Sequence, residues 1–330
     1  MNRSEPTEPT EPTEPTEPTE EPDMGPHTDG PGDLAGTVAW SELLSEATAR
    51  LRRAGLDTAA SDARRIVEEA SGLEGAELIV SLEDPVTERA MARFDDMIAR
   101  REAGEPLQYV LGRWGFRRLD LAVDPRVLIP RPETEMLVEA ALGHLDRLAA
   151  RIAADGERRD VVVADLGTGS GAIALSVASE RTNTTVWACD ASPAAVAAAR
   201  ANLAGIGRAA VRVRIVEGEW FDAFSDEQRS SFDLIITNPP YVSIDDELPA
   251  EVAEWEPAVA LFAGADGLDD LRHIISEAPR WLRPAGVLAV ELDPRQVAAV
   301  RDLMTGAGFT STEVHQDLAG RDRIVIGRLG

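Results

Sequence analysis

The sequence predicts an α/β fold, a mostly parallel seven-stranded sheet preceded by a small N-terminal helical domain. Three observations carry that expectation. From Val161 onward, short β-branched runs alternate with Ala/Leu-rich helical patterns, as in a parallel sheet covered on both faces. Val161 to Gly171 (VVVADLGTGSG) reads as a strand that ends in a glycine turn and opens a helix. Phe232 to Thr237 (FDLIIT) reads as a second buried strand, and it ends in Asn238-Pro239-Pro240-Tyr241.

Taken in order, residues 1–37 are an acidic low-complexity tail in which Glu-Pro-Thr repeats from Glu5 to Thr19. Proline removes donors, like charges repel and almost nothing apolar can be buried, so an extended, disordered tail is expected. Residues 38–104 read as helices. Trp40, Leu43, Leu44, Ala47 and Leu51 share one helix face, and Gly55 is a plausible stop. A second helix over 57–70 buries Ala60, Ala63, Ile66, Val67 and Ala70, and a short turn holds Leu78, Ile79 and Val80. A further helix over 87–101 buries Ala90, Met91, Phe94, Met97 and Ile98. This bundle is a candidate substrate-docking domain, with a structural cap as the alternative. Residues 105–127 form a linker with a hairpin over 114–123. The region of alternating strands and helices follows, 128–330. Ile129-Pro130-Arg131-Pro132 is expected to be non-helical, because a residue before proline avoids the α region. Glu133 or Thr134 is expected to open the next helix, which runs to about Ala154. Strands are expected at 161–165, 185–190, 211–217, 232–237, 286–292, 309–315 and 322–327, with helices near 171–180, 193–204, 267–282 and 295–307.

Composition narrows the function. The chain has 330 residues, 44% hydrophobic and 28% charged, which suits a soluble protein with a sizeable core and two domains. No run approaches the roughly 18 apolar residues of a membrane helix, and the acidic N-terminus carries no apolar secretory core. One cysteine, Cys189, fits a reducing compartment, so a cytoplasmic location is expected. His27, His144, His273 and His315 show no metal-ligand spacing, and no metal is expected. Net charge is −26, and the 33 basic residues are all arginine. The first 33 residues hold ten acids against one arginine, so nine of the 26 negative charges lie in the tail. The remainder is still acidic, which argues against a broad phosphate-binding surface and direct nucleic-acid binding.

Asp165-Leu166-Gly167-Thr168-Gly169-Ser170-Gly171 lets a ligand approach the backbone and offers the free N–H groups of a helix start. The spacing is G-x-G-x-G rather than the dinucleotide G-x-G-x-x-G, and no lysine is present to serve a phosphate loop. This points to S-adenosylmethionine. Asp190, about 20 residues on, stands where an acid accepts ribose hydroxyls; the alternative is a helix N-cap ahead of Ser192-Pro193. Glu219 and Trp220 are candidates for the adenine side, with Trp220 as core filler the alternative. Asn238-Pro239-Pro240-Tyr241 suits a planar amine or amide. An amide nitrogen is a poor nucleophile because its lone pair is delocalised. The Asn238 side-chain oxygen and the Pro239 carbonyl can accept its two N–H groups, which orients the nitrogen and favours the charge that develops on it. Tyr241 can pack on the plane and exclude water.

With these motifs in hand, the chain resembles the release-factor glutamine N5-methyltransferases of the HemK/PrmC type. The resemblance rests on PLQYVLG (Pro106 to Gly112), LIPRPETE (Leu128 to Glu135), DLGTGSGAIAL (Asp165 to Leu175), NPPY, EPAVALFAGADGL (Glu256 to Leu268) and DLAGRDR (Asp317 to Arg323). It covers roughly residues 40–330. NPPY alone is shared with nucleic-acid N6-adenine methyltransferases; the Arg131 to Glu135 stretch favours this family over ribosomal-protein glutamine methyltransferases, which diverge there. The resemblance implies a class I methyltransferase domain behind a helical domain, S-adenosylmethionine as donor, and the glutamine of Gly-Gly-Gln in class 1 release factors as acceptor. A monomer acting on a protein substrate is expected. It implies cofactor contacts from Asp165, Gly167, Thr168, Gly169, Ser170, Gly171, Asp190, Trp220 and Asn238. It also implies a glutamine pocket from Asn238, Pro239, Pro240 and Tyr241, walled by Arg131, Pro132 and Glu135. Two positions depart from the family pattern: Glu219 stands where an aspartate is usual, and Asp293-Pro294 where a glycine often follows the fifth-strand Glu-Leu.

Overall fold

Amphipathic spacing builds the long helices of the N-terminal bundle. A computed structural model describes residues 37–330, and the compact unit runs from Ala39 to Gly330. The expectation for the acidic tail lies outside the described residues. Helix α1 (Trp40–Arg53) buries Trp40, Leu43, Ala47 and Leu51. Helix α2 (Ala59–Ser71) buries Ala63, Ile66 and Val67 against it, and Gly72 closes the helix with φ +73°. Each fully buried aliphatic side chain here contributes about 1.5–3 kcal/mol. The short α3 (Ala76–Val80) follows, with Leu78 buried and Ile79 and Val80 exposed. Helix α4 (Glu88–Glu102) starts at Thr87, whose hydroxyl caps the Ala90 N–H. It buries Phe94, Met97 and Ile98, while Ala90 and Met91 are only half-buried. Helix α5 (Leu107–Leu111) packs on α2 and α4. The sequence showed no such helix, because five residues are too short for a periodicity.

The bundle holds one buried ion pair. Arg101 Nε donates to Asp62 at 2.8 Å, and both residues are 4% exposed. Thr58 also donates to Asp62, and Arg101 donates to the Glu105 carbonyl and to Glu251 on α9 (Ala250–Trp255). Both charges are thus satisfied, and removing one partner costs about 3–5 kcal/mol. The Arg101–Glu251 contact ties the bundle to α9.

Strands β1 (Arg113–Phe116) and β2 (Leu119–Ala122) form the expected hairpin. Helix α6 runs Pro132–Ala154, one to two residues earlier than expected. Pro132 occupies its first position, where the missing N–H costs nothing and φ is already helical. The main sheet has strands β3 (Val161–Leu166), β4 (Thr184–Asp190), β5 (Val213–Glu217), β6 (Phe232–Thr237), β7 (Leu282–Glu291), β8 (Phe309–Gln316) and β9 (Asp322–Leu329). Their order is β5-β4-β3-β6-β7-β9-β8. Strands β3 to β7 pair in parallel, and β9 runs antiparallel to both its neighbours. Helices α6, α7 (Ala172–Glu180) and α8 (Pro193–Gly205) cover one face. Helices α10 (Asp269–Trp281) and α11 (Val297–Gly306) cover the other. Strands β3 and β6 lie side by side, but the chain leaves them in opposite directions along the sheet. Such a switch point opens a crevice at the carboxyl ends of the strands. No helix among the described residues is long and apolar enough to cross a membrane.

Candidate active site

The turn after β3 begins at the crevice. Asp165 is fully buried; its Oδ2 accepts from the Thr168 hydroxyl at 2.6 Å and from the Ala174 N–H at 3.1 Å. Burial pushes its carboxyl up to about 7. The turn therefore wraps around Asp165, and Gly167 (φ +71°) and Gly169 (φ +56°) face outward. A Cβ on Gly167 would lie 3.2 Å from the Trp220 ring, so only glycine lets that ring cover the turn. Trp220 itself is held at φ +44°, a conformation a bulky residue adopts only when its surroundings impose it. Asp190, at the end of β4, accepts from the Gly169 N–H and the Ser192 N–H, both at 2.9 Å. Burial raises its carboxyl above the usual range. The cap of α8 is Ser192, which accepts from the Ala195 N–H, so the N-cap alternative for Asp190 falls away.

These groups line a cavity of about 290 Å³ together with Leu128, Glu219, Asn238, Pro240 and Asp270. Asp165, Thr168, Ser170 and Gly171 stand behind its wall, where they shape the turn. Cys189 is buried, as a small core residue would be.

A second cavity, of about 540 Å³, lies on the other side of the Asn238 turn. Arg131, Asn238, Pro239 and Tyr241 line it, joined by Glu133, Glu291, Arg295 and Arg323. Asn238, Leu128 and Ala260 belong to both cavities. Asn238 thus stands on the partition between them. Its Nδ2 donates to the buried Thr134 hydroxyl at 3.1 Å, which leaves Oδ1 as the atom free to accept. Among the described residues, no donor reaches the Pro239 carbonyl. Two cavities thus meet at Asn238, with two acceptors at the junction.

The comparisons with known proteins bear on the family and the fold. Residues 42–112 match the PrmC N-terminal domain and residues 146–254 the methyltransferase small domain. The release factor glutamine methyltransferase of Xylella fastidiosa is 41% identical over 289 residues, 87% of this chain and 96% of that protein. That of Cereibacter sphaeroides is 40% identical over 88% of this chain and 98% of its own. The chain belongs to the release factor glutamine methyltransferase family. Among solved structures, the hMettl16 catalytic domain in complex with MAT2A 3'UTR hairpin 1 aligns with a TM-score of 0.50 at 17% identity, over 71% of this chain and 80% of that one. This likeness bears on the fold alone.

The family motifs now have physical roles. In PLQYVLG, the buried Tyr109 donates its hydroxyl to the Val127 carbonyl at 2.5 Å and so fixes the Val127-Leu128 wall. In LIPRPETE, Arg131 pairs with the buried Glu256, which also accepts the Ile129 N–H at 3.2 Å. Glu135, expected at the acceptor pocket, points elsewhere. Its carboxylate accepts the Arg117 N–H, and it lines neither cavity. Pro132 likewise lines neither; it starts α6. Asp293-Pro294, unusual for the family, opens a 3-10 turn capped reciprocally by Asp293 and Gln296. That turn points Gln296 Nε2 at the carbonyls of Tyr241, Asp266 and Gly267, at 2.9, 3.2 and 3.0 Å. The Asn238-Tyr241 loop is thereby braced from below.

Two site residues escaped sequence reasoning. Thr134 was read only as a possible helix start, and Glu291 only as one of a Glu-Leu pair. Glu291 is 1% exposed, and its Oε2 has no hydrogen-bond partner. Burial pushes its carboxyl up to about 7; Thr134, against it, acts the other way. The Tyr241 hydroxyl approaches Glu291 Oε1 at 3.5 Å, and burial raises that phenol. Asn238, Thr134, Glu291 and Tyr241 thus form one connected group drawn from three distant segments. Only the burial of an acid at a strand end hinted at it.

Proposed function

We propose that this protein transfers a methyl group from S-adenosylmethionine to the side-chain amide nitrogen of the glutamine in the Gly-Gly-Gln motif of class 1 peptide chain release factors. The observation that carries this reading is the position of Asn238, shared by the two cavities. Family membership supports the substrate, since the relatives are release factor glutamine methyltransferases. The reading places the protein in the cytoplasm, acting as a monomer on a protein rather than on nucleic acid.

The smaller cavity fits the cofactor. Gly167 and Gly169 allow close approach to the backbone, Asp190 keeps lone pairs for ribose hydroxyls, and Trp220 and Glu219 bound the far end. The bound cofactor supplies an electrophilic methyl on a sulfonium sulfur. The chain's own groups prepare the nucleophile. Thr134 holds the Asn238 amide so that Oδ1 accepts one N–H of the glutamine side chain. The Pro239 carbonyl accepts the other. Both acceptors sharpen as positive charge develops on nitrogen, so they favour the transition state over bound substrate. Tyr241 packs on the amide plane and keeps water out. The nitrogen loses its proton after transfer, so a strong base is unnecessary.

The test is mass spectrometry of a purified release factor incubated with the full chain and S-adenosylmethionine. One methyl group gained on the Gly-Gly-Gln glutamine is the expected result. Transfer to a ribosomal protein or to adenine instead, or none at all, would overturn the substrate assignment.

A further inference from the structure

Far along α6 from Thr134, the fold brings together two histidines that sequence spacing left apart. His144 lies ten residues after Thr134, about 15 Å along the helix at its usual rise. It is 7% exposed. Glu313 and His315 lie two apart on β8, so both point to the same face. Val314 between them packs into the opposite core layer, which turns the pair toward α6. His144 Nε2 lies 3.4 Å from Glu313 Oε2, and His315 Nε2 lies 3.6 Å from the same oxygen. One ligand atom from each of the three falls within 4.8 Å of the others.

These distances are poor for hydrogen bonds. Neither Nε2 atom has a hydrogen-bond partner, although both are shielded from solvent. Two orphaned imidazole nitrogens around one carboxylate oxygen form an unusual arrangement. The distances do suit a shared ion. Tetrahedral bonds of about 2.0–2.1 Å place neighbouring ligand atoms about 3.4 Å apart. The Arg147 guanidinium lies near His144. Arg147 opposes a cation, but it is itself exposed.

We propose that His144, Glu313 and His315 form a binding site for a zinc-class divalent cation that ties α6 to β8. Two imidazoles and one carboxylate select borderline metals such as zinc, cobalt or nickel over magnesium or calcium. His315 is half-exposed and Glu313 exposed, so a water completes the coordination from the solvent side. The tie would join the helix that carries Thr134 to the strand leading into the Asp317–Arg323 turn. That turn supplies Arg323 to the larger cavity and Arg321 as a partner for Glu133.

The experiment titrates cobalt(II) into the untagged, chelator-treated full chain and follows its visible ligand-field absorption, then displaces it with zinc. One equivalent bound at micromolar metal, a raised thermal midpoint, and an affinity loss of more than about tenfold in each of His144→Ala, His315→Ala and Glu313→Gln support the site. Glu313→Gln and His315→Ala change accessible positions and carry the test if the buried His144→Ala does not fold. No stoichiometric binding at micromolar metal overturns the proposal. So does binding that all three variants leave unchanged, as carboxylates of the acidic tail would give.

Discussion

The two cavities that meet at Asn238 are built on opposite plans. The smaller is made largely of backbone at strand ends: the turn after β3, the end of β4 and the segment after β5. Its decisive residues are glycines and one acid whose hydrogen bonds are short-range or between adjacent strands. The larger is made of side chains from the start of α6, the loop after β6, the end of β7 and the start of β9. A backbone site tolerates side-chain change but not a change of φ. A side-chain site is the reverse: each member relies on a neighbour from a distant segment.

Asn238→Ala should break the comparison most severely, since that residue serves both sides. Turnover is expected to fall about 10²–10³-fold, as for loss of a transition-state hydrogen-bond partner, with cofactor affinity changed only a few-fold. Wild-type-like methyl transfer by this variant would sink the mechanism. Thr134→Val keeps shape but frees the Asn238 amide to rotate. It should lower kcat about tenfold with little change in KM, and steady-state kinetics on the release factor would show it. Equal losses in kcat and cofactor affinity would mean the two sides are not separable. Gly167→Ala attacks the backbone plan. The left-handed φ costs about 1–2 kcal/mol, and the new methyl displaces Trp220. Calorimetry should find cofactor binding weakened about tenfold, with kcat at saturating cofactor preserved.

The smallest effect concerns pH. Glu291 binds its proton more tightly in the folded state than its ordinary value of 4.5, up to about 7. Between those values the native state holds more protons than the unfolded one, so stability falls as pH rises. From pH 6 to 7 this group should cost about 1 kcal/mol. Asp165, also raised to about 7, adds a slope of the same sign. Glu291→Gln should therefore flatten the pH dependence of denaturant midpoints by about half; an unchanged slope would show that the carboxyl is not perturbed.

The smaller cavity was largely legible in the sequence because its parts are local. A glycine turn after a strand, and an acid one strand later, keep their meaning in any context that forms the sheet. Even there, of Asp165, Gly167, Thr168, Gly169, Ser170 and Gly171, only Gly167 and Gly169 line the cavity. Thr168 and Ser170 turn inward, because a turn this tight has two sides and only one meets the cavity. In the larger cavity, Asn238, Pro239, Tyr241 and Arg131 were legible from their motifs, while Pro240, expected with them, lines the smaller cavity. Glu135 was misplaced, because helix phase from Pro132 carries it round to Arg117.

By itself the sequence determined the alternation of strands and helices, the glycine turn, the Asn238 loop and hence the family, since each is a short-range pattern of backbone preference and apolar periodicity. The tertiary structure alone decided that Thr134 and Glu291 stand behind Asn238, that Gln296 braces Tyr241, and that His144 faces Glu313 and His315. These contacts join residues at least 50 positions apart, as from Tyr241 to Glu291 (50 positions) and from Asn238 to Thr134 (104 positions). No periodicity encodes such pairs, because their meeting depends on sheet order and helix phase, which are set only when the whole core packs.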